Sequence, residues 1–299
     1  MKSGSLGQSK QDIWKAWLLQ RRFGGDKALL ERSLQEFLIP IRDKILDKAA
    51  LQEGETLLDV GCGNGLVAFG ALDRLTAGRV IFSDISQELL DHSAQLAKQM
   101  GVADRCEFVP ASADDLSAIP DGSVDVVTTR SVLIYVANKA KAFDEFFRVL
   151  KRNGRISLFE PINSFGHPPP RYSFSGFDVT PIMDITDKIK AVYLALQPPE
   201  TDPMLNFDER DLFSLAEAAG FSEIDLELNL QLKSNPDILT WDVFLKRAGN
   251  PKIPSLAEAM DEVLSEEEKE QFSAHVRPQV ESGKGQIRSS LAYLCATKI

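Results

Sequence analysis

Two apolar stretches of the sequence each end in an acidic residue, and a glycine-rich turn follows the first of them. The first stretch carries Asp59 and runs into Gly61, Gly63 and Gly65, whereas the second ends at Asp84. The glycines let the backbone turn tightly and approach a ligand, and the helix after them begins with free N–H groups. Asp84 lies about twenty residues beyond the turn, where a carboxylate can accept hydrogen bonds from both ribose hydroxyls. The pattern predicts a nucleotide-binding β-α-β unit.

The spacing of the glycines distinguishes between two classes of cofactor. Dinucleotide folds use G-x-G-x-x-G, because a pyrophosphate lies against the turn. In this chain Leu66 occupies the place of the third dinucleotide glycine, and the Asp59 carboxylate before the turn would repel a pyrophosphate. A cationic ligand therefore fits better, and a glycine-rich turn without a ligand is the alternative.

The glycine turn and Asp84 are the most specific parts of a resemblance to the class I S-adenosylmethionine-dependent methyltransferases, of the small-molecule kind called type 11. The resemblance covers roughly residues 51–159 and the terminal strands. It implies an enzyme, a transferase, whose cofactor is S-adenosyl-L-methionine. The methionine end of this cofactor is expected against Gly61, Gly63 and Gly65, with Asp59 near its ammonium group. The ribose is expected at Asp84 and the adjoining Ile85.

The resemblance also implies an adenine site in the loop after the third predicted strand. In the family this loop often reads Gly-Asp-Ala, whereas Ala111-Ser112-Ala113 stands here. The change replaces a charged acceptor for the adenine amine by the Ser112 hydroxyl, while Ala113 still offers its backbone N–H. Asp114, the next residue, is an alternative acceptor.

Two arginines are expected at the methionine part of the cofactor. Arg130 follows the fourth predicted strand, where the family holds the methionine backbone. Arg22 precedes the Gly24-Gly25 break in the N-terminal helices. A guanidinium there could bind the cofactor carboxylate through two parallel hydrogen bonds when a lid closes. A solvated helix end is the alternative for Arg22.

The elements that must position these residues alternate between strand and helix along the chain. Strands are predicted at 57–60, 79–84, 106–109, 124–129, 155–160, 224–230 and 290–296. The alternation predicts an α/β fold with helices on both faces of a parallel sheet, whose carboxyl edge binds ligands. We expect a Rossmann-like, doubly wound, seven-stranded and mostly parallel sheet with the last strand antiparallel, together with a helical cap.

The same alternation divides the chain into six segments. They are an N-terminal helical lid (1–50), a cofactor-binding core (51–160), a cap insertion (161–207), a core helix with the sixth strand (208–234), a second helical insertion (235–285) and the seventh strand (286–299). We expect the lid and the insertions to cover the substrate. The alternatives are that they lengthen the core or form the contact of a homodimer.

Methyl transfer from a sulfonium is an in-line displacement that requires mainly alignment and exclusion of water. A base is needed only if the acceptor must lose a proton early. The candidate bases are His167 in the cap insertion, Tyr135 after the fourth strand and Glu160 at the end of the fifth. Candidate contacts for an apolar substrate are aromatic residues of the cap insertion, Tyr172, Phe174 and Phe177.

Bulk properties exclude several partners. The formal net charge of -10 and the pI near 5.0 argue against nucleic acid, which proteins bind through clustered Lys and Arg. The sequence has no run of eighteen apolar residues and no apolar leader, so we expect a cytoplasmic protein without a membrane partner. The three cysteines are far apart and no Cys/His cluster occurs, so no metal is expected.

The absence of certain motifs narrows the range of possible methyl acceptors. Residues 128–131, Thr-Thr-Arg-Ser, stand where amino-methyltransferases of bases and glutamine have Asn/Asp-Pro-Pro-Tyr/Phe. The sequence thus predicts O-, N- or C-methylation of a small, partly apolar molecule. The alternatives are an NAD(P)-dependent oxidoreductase on a Rossmann fold and a non-catalytic S-adenosylmethionine-binding protein.

Overall fold

A computed structural model describes residues 12–235 and 237–299, so the first part of the predicted lid, 1–11, lies outside the described residues. The strands are, in chain order, β1 Thr56–Val60, β2 Arg79–Asp84, β3 Cys106–Pro110, β4 Val124–Arg130, β5 Leu150–Pro161, β6 Ser173–Phe174, β7 Phe177–Asp178, β8 Ser222–Ser234 and β9 Gln286–Thr297.

The central sheet has seven strands in the order β3-β2-β1-β4-β5-β9-β8. The first five are parallel, and β9 runs antiparallel to both of its neighbours. This arrangement confirms the predicted α/β, doubly wound sheet with its last strand antiparallel. The strand order reverses between β1 and β4, which is where open α/β sheets bind ligands.

The helices are, in chain order, α1 Ile13–Ala16, α2 Lys27–Ser33, α3 Ile39–Ala49, α4 Leu66–Arg74, α5 Gln87–Gln99, α6 Lys139–Val149, α7 Met183–Leu196, α8 Glu209–Ala218, α9 Trp241–Lys246, α10 Leu256–Val263 and α11 Glu266–Val280. Two π-helical turns, Trp17–Arg21 and Leu34–Leu38, continue α1 and α2. Within the described ranges, no helix has the length and apolar character needed to cross a membrane.

Side-chain caps begin the core helices. Ser86 accepts from the Leu89 N–H at the start of α5, and Asp208 forms a capping box at the start of α8. Helix α6 ends at Val149, because Leu150 is already extended and fully buried in β5. Leu150 is therefore the first residue of β5.

Buried apolar residues cover both faces of the sheet. Leu57 and Leu58, which are adjacent on β1, belong to different clusters because successive strand side chains point to opposite faces. One cluster includes Phe143 of α6, and the other includes Ile45 of α3 and Val67 of α4.

A third buried cluster lies away from the sheet. It combines Leu29 of the N-terminal region, Phe177 of the 161–207 segment, and Phe244 and Phe272 of the 235–285 segment. These three segments therefore share one apolar core, which we call the cap.

A tight hairpin attaches the cap to the sheet. Strands β6 and β7 are joined by Ser175 and Gly176, both at positive φ, as in the two-residue turns that match strand twist. The carbonyl of Gly176 accepts a hydrogen bond from the Gln286 N–H at 2.9 Å. A Cβ on Gly176 would lie 2.0 Å from the Gln286 carbonyl oxygen, so only glycine fits this contact.

Candidate active site

A cavity of about 1100 Å³ begins at the carboxyl edge of the sheet and extends under the cap. At the sheet edge its wall includes Gly61, Gly63, Asp84, Ile85, Ser112, Ala113 and Arg130. Under the cap its wall includes Tyr172, Phe174, Phe177, Leu239 and Phe244. A pocket for one drug-sized ligand usually measures about 300–1,000 Å³. The cavity thus has room for a cofactor and a second molecule.

The glycine turn joins β1 to α4 and presents two of its three glycines to the cavity. Gly61 and Gly63 line the wall, and Gly63 has a φ of 57° that side chains rarely adopt. Gly65 does not line the wall, contrary to its predicted place at the cofactor. A Cβ on Gly65 would lie 2.5 Å from the Phe69 ring, so this glycine serves the packing of α4.

Asp84 lies at the end of β2 and is tied to the glycine turn. Its Oδ2 accepts from the Gly63 N–H at 2.8 Å, and its Oδ1 accepts from the Ser86 N–H at 2.9 Å. The side chain is buried yet reaches the cavity wall. Burial raises the pKa of Asp84, while the two N–H donors oppose that rise. Each oxygen keeps a lone pair that could accept from a hydroxyl in the cavity.

The loop after β3 brings the two predicted adenine acceptors together. The Ser112 hydroxyl donates to the Asp114 carboxylate, and both residues line the cavity with Ala113 between them. Ile85 faces the same part of the cavity, with 57% of its surface exposed. The site therefore offers polar acceptors and an apolar surface to a flat ring.

Asp59 does not reach the cavity, so the predicted contact with the cofactor's ammonium group is corrected. Its carboxylate is 2% exposed and accepts from the Ala68 N–H at 3.1 Å and the Thr128 hydroxyl at 2.9 Å. Asp59 thus stabilises the first turn of α4, where an anion is favoured. Burial raises the pKa of Asp59 to about 7.

Glu160 also has a different task from the catalytic one predicted for it. Its carboxylate is 1% exposed and accepts from the backbone N–H groups of Val132, Leu133 and Ile134, at 3.0–3.3 Å. The Thr129 hydroxyl donates to the same carboxylate. Burial raises the pKa of Glu160 to about 7. Both carboxylate oxygens thus bind the loop after β4 and hold its conformation.

His167 is absent from the cavity wall, which contradicts its predicted role as a base. The turn Asn163–Gly166 instead brings Asn163 and Gly166 to the wall, followed by Pro169 and Pro170. The backbone path through this segment thus directs its neighbours, and not the imidazole, toward the ligand space.

Tyr135 does line the cavity, in the loop that Glu160 holds. Its ring meets the Trp14 ring edge-on, with centroids 4.9 Å apart. Burial raises the pKa of Tyr135 to about 12. At neutral pH the phenol is therefore protonated, and it can donate a hydrogen bond but cannot act as an effective base.

The predicted substrate contacts lie together at the far part of the cavity. Phe174 and Phe177 are buried in the cap cluster, where their rings meet Phe272 and Phe244 edge-on. Tyr172 is 58% exposed and lies on the same wall. The cap thus supplies an aromatic surface for an apolar ligand.

Four arginines line the cavity: Arg22, Arg130, Arg247 and Arg288. The Arg22 guanidinium lies 5.3 Å from the ring centroids of Trp17 and Phe23. Burial, followed by the charges of Arg130 and Arg247, lowers the pKa of Arg22 to about 10. Sequence analysis missed Arg247, because an arginine after a short helix carries no distinctive signal.

The N-terminal segment passes over the glycine turn as a lid, which we define as residues 12–25. A Cβ on Gly63 would lie 3.2 Å from the Leu18 side chain. Lys15 pairs with Glu88 of α5 at 2.9 Å. At the other end, the Trp17 indole donates to the Ala248 carbonyl at 2.9 Å. The lid thus joins the core to the cap across the cavity.

No set of three or more His, Cys, Asp or Glu side chains suited to a metal ion occurs in the part of the chain that the structure describes.

Comparison with known proteins places this geometry in context. A family model described as a methyltransferase domain matches residues 58–158. The chain is 29% identical to nocamycin O-methyltransferase of Saccharothrix syringae over 205 residues, which cover 67% of this chain and 71% of that protein. It is 28% identical to the ubiquinone/menaquinone biosynthesis C-methyltransferase UbiE of Salmonella arizonae over 186 residues, covering 60% and 71%.

Among solved structures, a candidate methyltransferase of Bacillus halodurans has a similar fold. It matches with a TM-score of 0.54 at 19% identity, over 86% of this chain and 98% of that one. This likeness extends beyond the matched family segment and supports the Rossmann-like architecture of the whole sheet.

Proposed function

Because the chain belongs to the class I S-adenosylmethionine-dependent methyltransferases, we propose that it methylates a small, partly apolar molecule bound between the sheet edge and the cap. The observation that carries this proposal is the continuous cavity from the glycine turn to the cap aromatics. One compartment can then hold donor and acceptor in line, which is the main requirement of the reaction.

The residues at the sheet edge fit S-adenosylmethionine, which supplies an activated methyl group on a sulfonium. The open backbone at Gly63 accommodates the methionine portion, and the remaining lone pairs of Asp84 accept the ribose hydroxyls. Ile85 supports one face of the adenine, while Ser112 accepts from its amine and Ala113 donates its N–H.

The arginines nearest the methionine end are proposed to bind the cofactor carboxylate. Arg130 follows β4, and Arg22 reaches the cavity from the lid. Burial and then repulsion from Arg130 lower the pKa of Arg22, and a carboxylate between or beside the two guanidinium groups would relieve the repulsion. Closure of the lid over Gly63 would then exclude water from the donor.

The acceptor is proposed to rest on Phe174, Phe177 and Tyr172, with Tyr135 close to the sheet edge. Because the phenol of Tyr135 keeps its proton, it orients the acceptor by donating a hydrogen bond and does not remove a proton. The acceptor must therefore be a nucleophile already or release its proton to water. Since one relative is named for O-methylation and another for C-methylation, the receiving atom stays unassigned.

The shared apolar cluster supports a capping role for the insertions within one chain. Leu29 of α2, and Phe177 and Phe272 of the two insertions, are buried together. The cluster also supplies Phe174, Phe177 and Phe244 to the cavity wall, which supports a cover over a ligand formed within one chain.

Two measurements test the proposal. Thermal-shift assays should show stabilisation by S-adenosylhomocysteine and none by NAD or NADP. Incubation of the protein with methyl-labelled S-adenosylmethionine and a metabolite extract should then label a small, organic-extractable product. Binding of S-adenosylhomocysteine without any labelled product across extracts would favour a non-catalytic binding protein.

A further inference from the structure

The charges on the cavity wall are unbalanced. Among the residues that the structure describes, the guanidinium groups of the four cavity arginines, Arg22, Arg130, Arg247 and Arg288, have no hydrogen bond or ion pair with a carboxylate. The charges of Asp59 and Glu160 oppose only part of the fall that burial causes in the pKa of Arg130. Arg22 and Arg130 are partly buried, where a cation without an anionic partner is costly, whereas Arg247 and Arg288 are exposed and free to meet an anion that enters the cavity. The cavity wall can therefore bind a negatively charged group of a ligand.

The carboxylates on the same wall already have hydrogen-bond or ion-pair partners. Asp84 binds the glycine turn, and Asp114 accepts from Ser112, so both belong to the proposed adenosine end. Asp237 lies 3.5 Å from the Arg32 guanidinium and is paired with it. The charge of Asp237 opposes only part of the fall that burial causes in the pKa of Arg247, and none of the three carboxylates forms an ion pair with a cavity arginine.

The cofactor does not balance this charge either. S-adenosylmethionine brings one carboxylate but also a sulfonium and an ammonium group, so it adds net positive charge to the cavity. One carboxylate can bind Arg130 and share Arg22, which leaves Arg247 and Arg288 without an ion-pair partner.

Arg247 is held where the lid meets the cap. Its Cγ lies 3.3 Å from where a Cβ of Gly24 would be, so its stem packs on the lid backbone. The next residue, Ala248, donates its N–H to the Arg21 carbonyl at 3.2 Å and accepts from the Trp17 indole. These contacts fix the base of the side chain at the cavity wall.

From this arrangement, and resting on the proposed function, we infer that the methyl acceptor carries an anionic group and that Arg247, assisted by Arg22, binds it. The aromatic wall of Phe174, Phe177 and Phe244 receives the rest of the molecule. The acceptor class is thus an amphipathic acid, with an aromatic or alkyl body. The anionic group positions the acceptor and is not the methylated atom, because a hydrogen bond to a guanidinium reduces the nucleophilicity of the anion.

A matched pair of probes tests this inference. Naphthaleneacetate and its uncharged amide, naphthaleneacetamide, have nearly the same shape, and calorimetry can measure their binding to the protein saturated with S-adenosylhomocysteine. The variants are Arg247→Gln, Arg247→Lys and the control Lys246→Gln. Lys246 pairs with Asp242 at 2.7 Å and does not line the cavity, so the control removes an equal charge nearby.

We expect the acid to bind roughly tenfold or more tightly than the amide, which is the scale of a charge-assisted hydrogen bond. Arg247→Gln should remove that preference, whereas Arg247→Lys should keep part of it and Lys246→Gln all of it. S-adenosylhomocysteine affinity should be unchanged in all three variants.

Equal affinity of the two probes for the wild-type protein, including no measurable binding of either, would overturn the inference. So would a preference that persists in Arg247→Gln. If S-adenosylhomocysteine itself fails to bind, the proposed function fails; if it binds and only the preference is missing, the proposed function stands.

Discussion

Asp84 accepts a hydrogen bond from the backbone N–H of Gly63, with Oδ2 and N 2.8 Å apart. The acid that ends β2 therefore fixes the conformation of the turn that follows β1. A change in Asp84 is expected to alter both the proposed ribose contact and the shape of the turn. The two features are one structural unit, although 21 positions separate them in the chain.

The first prediction concerns Gly63. Gly63→Ala should weaken S-adenosylhomocysteine binding at least about tenfold, because the added Cβ enters the cavity wall and approaches Leu18 at 3.2 Å. Gly54→Ala is the matched control, since Gly54 also has positive φ but has nothing within 4 Å of its Cβ position. Both variants should lose stability by about 1 kcal/mol through backbone strain. Similar affinities of the two variants would mean that the turn faces away from the ligand.

The second prediction concerns pH and Asp59. Because burial raises the pKa of Asp59 to about 7, the folded protein holds this proton more tightly than the unfolded chain, whose pKa stays near 3.8. The free energy of unfolding should therefore fall as the pH rises from about 4 to about 7, by roughly 2–4 kcal/mol from this group. Denaturant titrations across that window should show a smaller fall in Asp59→Asn. Identical pH dependence of the two proteins would refute the assignment.

The third prediction separates two roles for Glu160. If its carboxylate holds the loop after β4, Glu160→Gln should lower the free energy of unfolding by about 1–3 kcal/mol. The reason is that both carboxylate oxygens of Glu160 accept hydrogen bonds, whereas an amide has only one oxygen. The exposed Glu107→Gln should have little effect. A Glu160→Gln variant with unchanged stability but abolished turnover would instead restore the catalytic interpretation.

The sequence was sufficient to predict the sheet, because its signals are local. The apolar runs of β1 to β5 each consist of neighbouring residues, so they can be recognised without knowledge of tertiary contacts. The glycine turn likewise predicted the edge of the sheet at which the cavity begins.

The functions of individual side chains could not be predicted in the same way. Asp59 and Glu160 follow the same strand-end pattern as Asp84, yet they turn toward backbone donors, and only tertiary packing decides that direction. Arg247 comes close to Arg22 only through the cap, across more than two hundred residues of chain.

The fourth prediction concerns the lid. Arg21 pairs with Glu258 of α10 at 2.5 Å, and both side chains are exposed, so the pair adds less than about 1 kcal/mol to stability. Arg21→Glu should nevertheless speed S-adenosylhomocysteine release several-fold, because repulsion from Glu258 favours the open lid. The double variant Arg21→Glu with Glu258→Arg should restore the slow rate. Stopped-flow fluorescence of Trp14 and Trp17, which lie in the lid, can follow release. Equal release rates in all three proteins would rule out a role of the Arg21–Glu258 pair in holding the lid closed.

The proposed ribose contact of Asp84 is tested most directly by calorimetric titration of S-adenosylhomocysteine into the wild-type protein, Asp84→Asn and Asp73→Asn. Asp73 lies exposed on α4 and away from the cavity, so its variant controls for the loss of charge. We predict that Asp84→Asn loses about 1.5–3 kcal/mol of binding free energy, the scale of a hydrogen bond to a charged group, while Asp73→Asn binds like the wild type. A folded Asp84→Asn protein with wild-type affinity would contradict the proposed ribose contact.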